Sequence, residues 1–370
     1  MRRPAGTLIF VVAGFLTVFA GSAEAVVMTD LYRTTVPMSN ETPAGRDDAF
    51  RAALAEVVVR VTGRRDAPDD ETLGPLLQSA RRLAVQFRNT ADGELWVEFD
   101  GRALERQLLA LDQPVWGRER PTTLVWLAVD VGPGDRRIVN AAEPLRLDAP
   151  DAGATFMIPA VPVDEEPSLQ ERVGKLAILR GLPLVWPLVD TEDLGRLSFA
   201  EIWAPFDDEV LEASTRYNVD SVLVGAFRHR SGREPRVRWT LYFGGQRRQV
   251  TGALGDGINL AADLYADRYS VRDAGDLENS ITMTVAGVDS LENYARVYRY
   301  LEQMTMVVSL EVDRLSSDVV SFRLALRGTP DTLRNAIALS QVLKPEVLDE
   351  FPDEPAAGDP VPDLKYRLNL

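Results

Sequence analysis

Few residues in this chain have reactive chemistry within reach, and most of those have a plainer structural use. His229 is the single histidine, in Arg228-His229-Arg230. A lone imidazole can serve as a general base near neutral pH, but an arginine on each side fits an exposed strand end. One histidine and no cysteine argue against zinc, copper or haem sites. Gly287-Val288-Asp289-Ser290-Leu291 lacks the second glycine of a nucleophile elbow, and Ser290 reads as a helix cap. No Ser-x-x-Lys pair occurs, lysine standing at positions 175, 344 and 365.

Gly252-Ala253-Leu254-Gly255-Asp256-Gly257 opens a helix but has neither dinucleotide nor phosphate-loop spacing. Asp66, Asp69, Asp70 and Glu71 lack the twelve-residue calcium loop with its closing glutamate. Carboxylates are so frequent that pairs of them carry little meaning. A two-carboxylate glycosidase depends on a spatial separation that the sequence leaves open. The best ligand-binding candidates are Asp190, Arg216 and Asp220, beside the apolar runs of the chain's middle. Open α/β sheets bind ligands at strand ends, and turn or cap duty is the competing use of all three. No residue is assigned to catalysis, to a cofactor or to a metal.

The elements that must position these residues follow from hydrophobic spacing. Leu184-Val185-Trp186-Pro187-Leu188-Val189-Asp190 and Ser221-Val222-Leu223-Val224-Gly225-Ala226-Phe227 read as strands buried on both faces. A helical stretch over 211–217 lies between them. Residues 121–272 form a central α/β domain with a first strand over 123–131, a helix over 168–180, an antiparallel pair over 236–243 and 247–253, and a helix over 256–269. Residues 140–166 form a long Pro-, Ala-, Asp- and Gly-rich loop.

Residues 26–115 form a smaller α/β module. Its 46–62 helix carries Phe50, Ala53, Leu54, Val57, Val58 and Val61 on one face and stops at Gly63. Residues 112–120 read as a linker. Residues 278–370 give the order β-α-β-β-α-β of a ferredoxin-like sandwich, with an acidic, Pro-rich loop near 349–362. The class is therefore α+β or α/β and multidomain: a mixed-sheet central domain flanked by smaller α/β modules.

The amino terminus directs export. Arg2 and Arg3 precede an apolar stretch over 8–20, and Ala23-Glu24-Ala25 gives a small-x-small cleavage pattern. Cleavage after Ala25 would release a periplasmic protein; the minor alternative is an uncleaved inner-membrane anchor. The absence of cysteine rules out disulfides and a lipid-modified cysteine. The net charge of -15 disfavours nucleic acid and anionic lipid surfaces as partners. The acidity is compatible with a cationic partner but is explained first by solubility. The export signal, the small α/β units and the lack of a catalytic constellation make an envelope protein the expected partner, with no membrane insertion after cleavage.

Several motifs carry a resemblance. Arg180-Gly181-Leu182-Pro183, Pro187-Leu188-Val189-Asp190, Ala213-Ser214-Thr215-Arg216-Tyr217 and Asp220-Ser221-Val222-Leu223-Val224-Gly225 resemble an exported proteobacterial family of unknown function. Leu31-Tyr32, Val36-Pro37, Val59-Arg60-Val61-Thr62-Gly63 and Tyr294-Ala295-Arg296-Val297 fit the same family, so the likeness runs over nearly the whole mature chain. The resemblance implies secretion and brings no catalytic residues with it. The middle segment is also similar to α/β domains of envelope-assembly proteins, such as the amino-terminal domain of the Tol-system periplasmic protein and the curli secretion lipoprotein. That is an analogy of fold. The expected function is a non-enzymatic, envelope-associated interaction or assembly module. The alternative is a small-ligand-binding protein or hydrolase using carboxylates and arginines at the central strand ends.

Overall fold

A computed structural model describes residues 28–147, 167–272, 280–346 and 362–369, apart from positions 29, 41 and 205. The expected signal segment 1–25, most of the loop 140–166 and nearly all of the loop 349–362 lie outside the described residues. Three sheets, each with its own helices, make an α+β multidomain protein. Among the described residues no helix is long and apolar enough to cross a membrane.

The first sheet contains β1 (Arg33–Pro37), β2 (Ala84–Asn89) and β3 (Glu94–Phe99), with β3 in the middle and both pairings antiparallel. Its helices are α1 (Pro43–Thr62), α2 (Gly74–Gln78), α3 (Ala80–Leu83) and α4 (Gly101–Ala110). Thr42 caps α1 by accepting from the Gly45 amide at 3.1 Å. The apolar stripe of α1 packs with Leu95, Val97 and Phe99 of β3. Each such side chain contributes about 1.5–3 kcal/mol on full burial. Gly63 ends the helix in the left-handed conformation, φ 70°.

The central sheet is mixed, in the order β5–β4–β7–β8–β9. Its strands are β4 (Thr123–Gly132), β5 (Asp135–Ile138), β6 (Leu184–Val185), β7 (Ser221–Arg228), β8 (Val237–Phe243) and β9 (Gln246–Gly252). Its helices are α5 (Leu169–Arg180), α6 (Thr191–Arg196), α7 (Phe199–Trp203), α8 (Asp207–Ser214) and α9 (Asp256–Tyr269). Strands β4 and β7 run parallel from Thr123↔Ser221 to Asp130↔Arg228. One face of the sheet packs on α5 and α9, the other on α7 and α8.

The run 184–190 is not the long strand that its apolarity suggests. Only Leu184 and Val185 pair, with Thr123 and Leu124 of β4. Pro187 has no amide to donate, and Val189 turns to φ 55°, which a sheet cannot accommodate. The expected linker 112–120 is also firmly held: Val115 and Trp116 are fully buried, and Val115 exchanges both backbone hydrogen bonds with Val271.

The third sheet contains β10 (Ser280–Ala286), β11 (Val307–Leu315), β12 (Val319–Leu326), β13 (Leu343–Pro345) and β14 (Leu364–Leu368), with α10 (Leu291–Glu302) and α11 (Pro330–Ala338). The order β11–β12–β10–β14–β13 keeps the ferredoxin-like β-α-β-β-α succession and adds a strand. Because β13 turns the chain back first, β14 lies beside β10 in parallel rather than antiparallel. Ser290 caps α10 through the Asn293 amide.

Candidate functional site

Two of the three ligand candidates meet, and they meet each other. Asp190 is the cap of α6, its Oδ1 accepting from the amides of Glu192 at 3.1 Å and Asp193 at 3.0 Å. Arg216 lies just after α8 and grips Asp190 with both terminal nitrogens, at 2.8 and 3.1 Å. Such a fork-on-carboxylate pair is geometrically specific. Its two bonds, with those from the cap amides, pull the Asp190 carboxyl down to about 2.

The hub of this corner is Asp193, which sequence reasoning passed over. Its buried side chain takes Arg216 Nη1 on Oδ1 at 2.9 Å. On Oδ2 it takes the Tyr217 hydroxyl at 2.5 Å and the Val189 amide at 2.8 Å. The left-handed turn at Val189 is thus fastened to the first turn of α6. A carboxylate three residues past a cap was the available signal, but nothing local says that it turns inward.

Asp220 stands apart from this pair. Its Oδ2 accepts from the Thr122 amide at 2.7 Å, joining the segments that lead into β4 and β7. The protein packed around it raises its carboxyl above the ordinary range although its edge reaches solvent. Asp220 lies on a cleft of about 520 Å³ at the amino end of β7, with Asp207, Tyr242, Arg247 and the Gly244-Gly245 turn. There Tyr242 donates to Asp207 at 2.6 Å, Arg247 pairs with Asp207 at 3.3 Å, and burial pushes the Tyr242 hydroxyl up to about 12. Below the cleft the hydroxyls of Thr123, Ser221 and Tyr265 bond one another in the core.

The opposite, carboxyl end of β7 carries the denser charge. From Arg228 to Arg248 the chain holds seven arginines, in a protein of net charge -15. Arg247 and Arg248 lie toward the amino end of β7, and the other five gather at its carboxyl end with one acid, Glu234. Five of these arginines line a cleft of about 550 Å³ beyond the end of α7. Arg228 pairs with the nearly buried Asp130 at 2.8 Å, and Arg238 donates to the Trp203 carbonyl. The density of arginine was visible in the sequence; its gathering on one cleft depends on the β7–β8 register.

A third constellation binds modules together. Arg60 of α1 donates to the carbonyls of Asp30, Leu31 and Arg33 at 2.8–3.2 Å. Arg120 stacks 3.6 Å over the Trp116 ring and donates to the Trp116 and Arg60 carbonyls. Burial lowers its guanidinium to about 9, still charged at neutral pH. Arg180 of α5 donates to the Gly63 carbonyl at 2.9 Å and to Asp263 at 2.6 Å. A Cβ on Gly181 would come 2.7 Å from Arg60 Cγ. The motifs containing Arg60 and Arg180 are therefore two sides of one joint. Residues 25–117 match the family model for a domain of unknown function (DUF8605).

That stretch contains the first sheet, Arg60, Gly63 and Trp116, so it holds one side of the joint and Arg180 with Gly181 the other. No curated protein and no solved structure matches the chain. Of the remaining sequence-derived candidates, two carboxylates are paired, while the His229 Nε2 is buried with no hydrogen-bond partner among the described residues. Asp66 and Asp70 pair with Arg64 at 3.0 and 3.2 Å. His229 follows β7 half-buried, its amide donating to the Asp130 carbonyl.

Proposed function

We propose that this protein is a non-enzymatic interaction or assembly module that works outside the cytoplasm, in the cell envelope. The observation that carries the reading is how charge is distributed around the central sheet. Arg216 is committed to Asp190 and Asp193, Arg228 to Asp130, and Asp207 to Tyr242 and Arg247. The side chains of Arg230, Arg233 and Arg236 remain exposed with no hydrogen bond or ion pair among the described residues. Neutralised pairs stiffen a scaffold, whereas uncommitted guanidiniums on an outer face are recognition groups. The joint made by Arg60, Arg120 and Arg180 supports the same reading, since a preorganised surface loses less entropy on docking.

Export rests on the Arg2-Arg3, apolar and Ala23-Glu24-Ala25 succession. Affinity capture from an envelope extract tests the function. The expected result is a partner enriched over an unrelated acidic control protein; repeated failure to enrich one counts against the proposal.

A second reading has one observation in its favour. The cleft at the amino end of β7 holds Asp220, with its raised carboxyl, near the Tyr242–Asp207–Arg247 group. A raised carboxyl in a polar cleft is a recurring property of ligand-binding and hydrolytic sites. A screen of small cationic and polar metabolites by thermal shift, repeated with Asp220→Asn, tests it. A stabilising compound whose effect vanishes in the variant would favour this reading.

A further inference from the structure

We infer that the arginine cleft at the carboxyl end of β7 receives an acidic segment of a protein partner, whose carboxylates pair with Arg230, Arg233 and Arg236. This rests on the interaction reading above and names the chemistry of the partner.

The first ground is incomplete pairing. Arg228 and Arg238 have Asp130 and the Trp203 carbonyl, and Glu234, the one acid in the stretch itself, is engaged by Arg172 at 3.3 Å. Nothing among the described residues neutralises the other three, although the chain has 56 acidic side chains against 41 basic ones. An acidic protein that keeps three adjacent cations unpaired has a local field opposite in sign to its surroundings.

The second ground is shape. The register Ala226↔Arg238↔Thr251 sets a row across β7, β8 and β9 on the face that α7 stops short of covering. Trp203 and Pro235 supply apolar walls to this cleft. The free guanidiniums recur at three-residue intervals through a turn and up to the residue before β8. Cations spread along a concave surface with apolar walls match carboxylates spaced along a peptide that also carries apolar side chains. A guanidinium's planar fork suits carboxylate oxygens.

The third ground excludes extended polyanions. A duplex or an anionic bilayer would face the acidic remainder of the surface as well as the cleft. A short segment interacts within roughly 8–10 Å, the screening length at physiological salt, and so meets chiefly the arginines.

The test uses the full chain and a short dye-labelled peptide alternating glutamate with leucine, followed by fluorescence anisotropy. Its glutamine counterpart and phosphatidylglycerol vesicles are run beside it. The expected result is salt-sensitive binding of the glutamate peptide only, weakened roughly tenfold or more by combined Arg230→Gln, Arg233→Gln and Arg236→Gln. Arg248→Gln, on the next strand, should leave binding unchanged. These side chains are exposed, so the variant should melt with the wild type. No peptide binding, binding indifferent to the triple variant, or vesicle binding that depends on the three arginines would each overturn the assignment. Envelope capture separates the two proposals. A partner enriched equally by wild type and triple variant sinks the cleft assignment and keeps the interaction reading. Peptide binding through the three arginines without any enriched partner does the reverse.

Discussion

Arg180 donates to the carbonyl oxygen of Gly63 at 2.9 Å, so the helix preceding the central strands is hydrogen-bonded to the end of α1. The guanidinium is almost wholly buried and is balanced by the half-exposed Asp263 at 2.6 Å. Truncating one member of a buried charged pair strands the groups it satisfied. Arg180→Ala should therefore cost about 2–3 kcal/mol, measured by urea unfolding. Arg180→Lys should recover only part, because an ammonium lacks the fork that reaches Gly63, Asp263 and Asn259 together. A loss within experimental error would show that the joint is not held by this residue.

Gly181 tests the same joint through packing. Its φ of 67° favours glycine, and an added Cβ would also press on Arg60 Cγ at 2.7 Å. Gly93, in the β2–β3 turn, has φ 76° but open space around it. Gly93→Ala should cost about 1 kcal/mol, for backbone strain alone, and Gly181→Ala about 2–3 kcal/mol, adding displacement of a buried arginine. Thermal unfolding of the two variants measures the difference. Equal losses would mean that Arg60 gives way freely.

Local pattern made much of this fold legible. The stripe from Phe50 to Val61 announced α1, and Gly244-Gly245, with φ 56° and 73°, announced the β8–β9 hairpin. What stayed hidden depended on distant partners. The run from Leu184 to Asp190 has strand-like apolarity, but Pro187 and the turn at Val189 end the pairing at once. Strands β5 and β13 are too short to show a period of two. Asp190, Arg216 and Asp220 were legible as polar residues near strand ends, but not that the first two pair and the third stands apart. Asp193 was not, because its importance comes from Tyr217 and Val189 closing on it in three dimensions.

Arg216→Ala should expose the role of Asp193. The variant removes the one cation among the described residues bonded to a carboxylate whose side chain is 1% exposed, leaving from those residues the Tyr217 hydroxyl and Val189 amide as donors. A loss of about 2–3 kcal/mol is expected in denaturant unfolding. Combining Arg216→Ala with Asp193→Asn should cost less than the sum of the single changes, because the stranded charge is then gone. Strict additivity would show that the two side chains do not interact in solution.

Acid should act on this protein in two opposite directions. Asp190 is held down at about 2 by Arg216, below the ordinary aspartate value of about 3.9. Its contribution is therefore complete above the ordinary value and is lost as pH falls through about 2. Glu105 of α4, which bonds Thr305, and Glu119 are raised by burial. Glu105 accepts from the Tyr32 hydroxyl and from Thr305 at 3.4 Å, bonds that partly offset this rise. A raised carboxyl favours the fold when protonated, and that advantage fades as pH rises through its elevated value. Urea midpoints measured across pH separate the two effects. Asp190→Asn should lower stability at neutral pH and, with that contribution gone, flatten the decline between about pH 4 and 2. Glu105→Gln keeps an oxygen for Tyr32 and should instead remove part of the decline above the ordinary glutamate range. If both variants followed the wild-type curve throughout, neither carboxyl would differ between folded and unfolded chains.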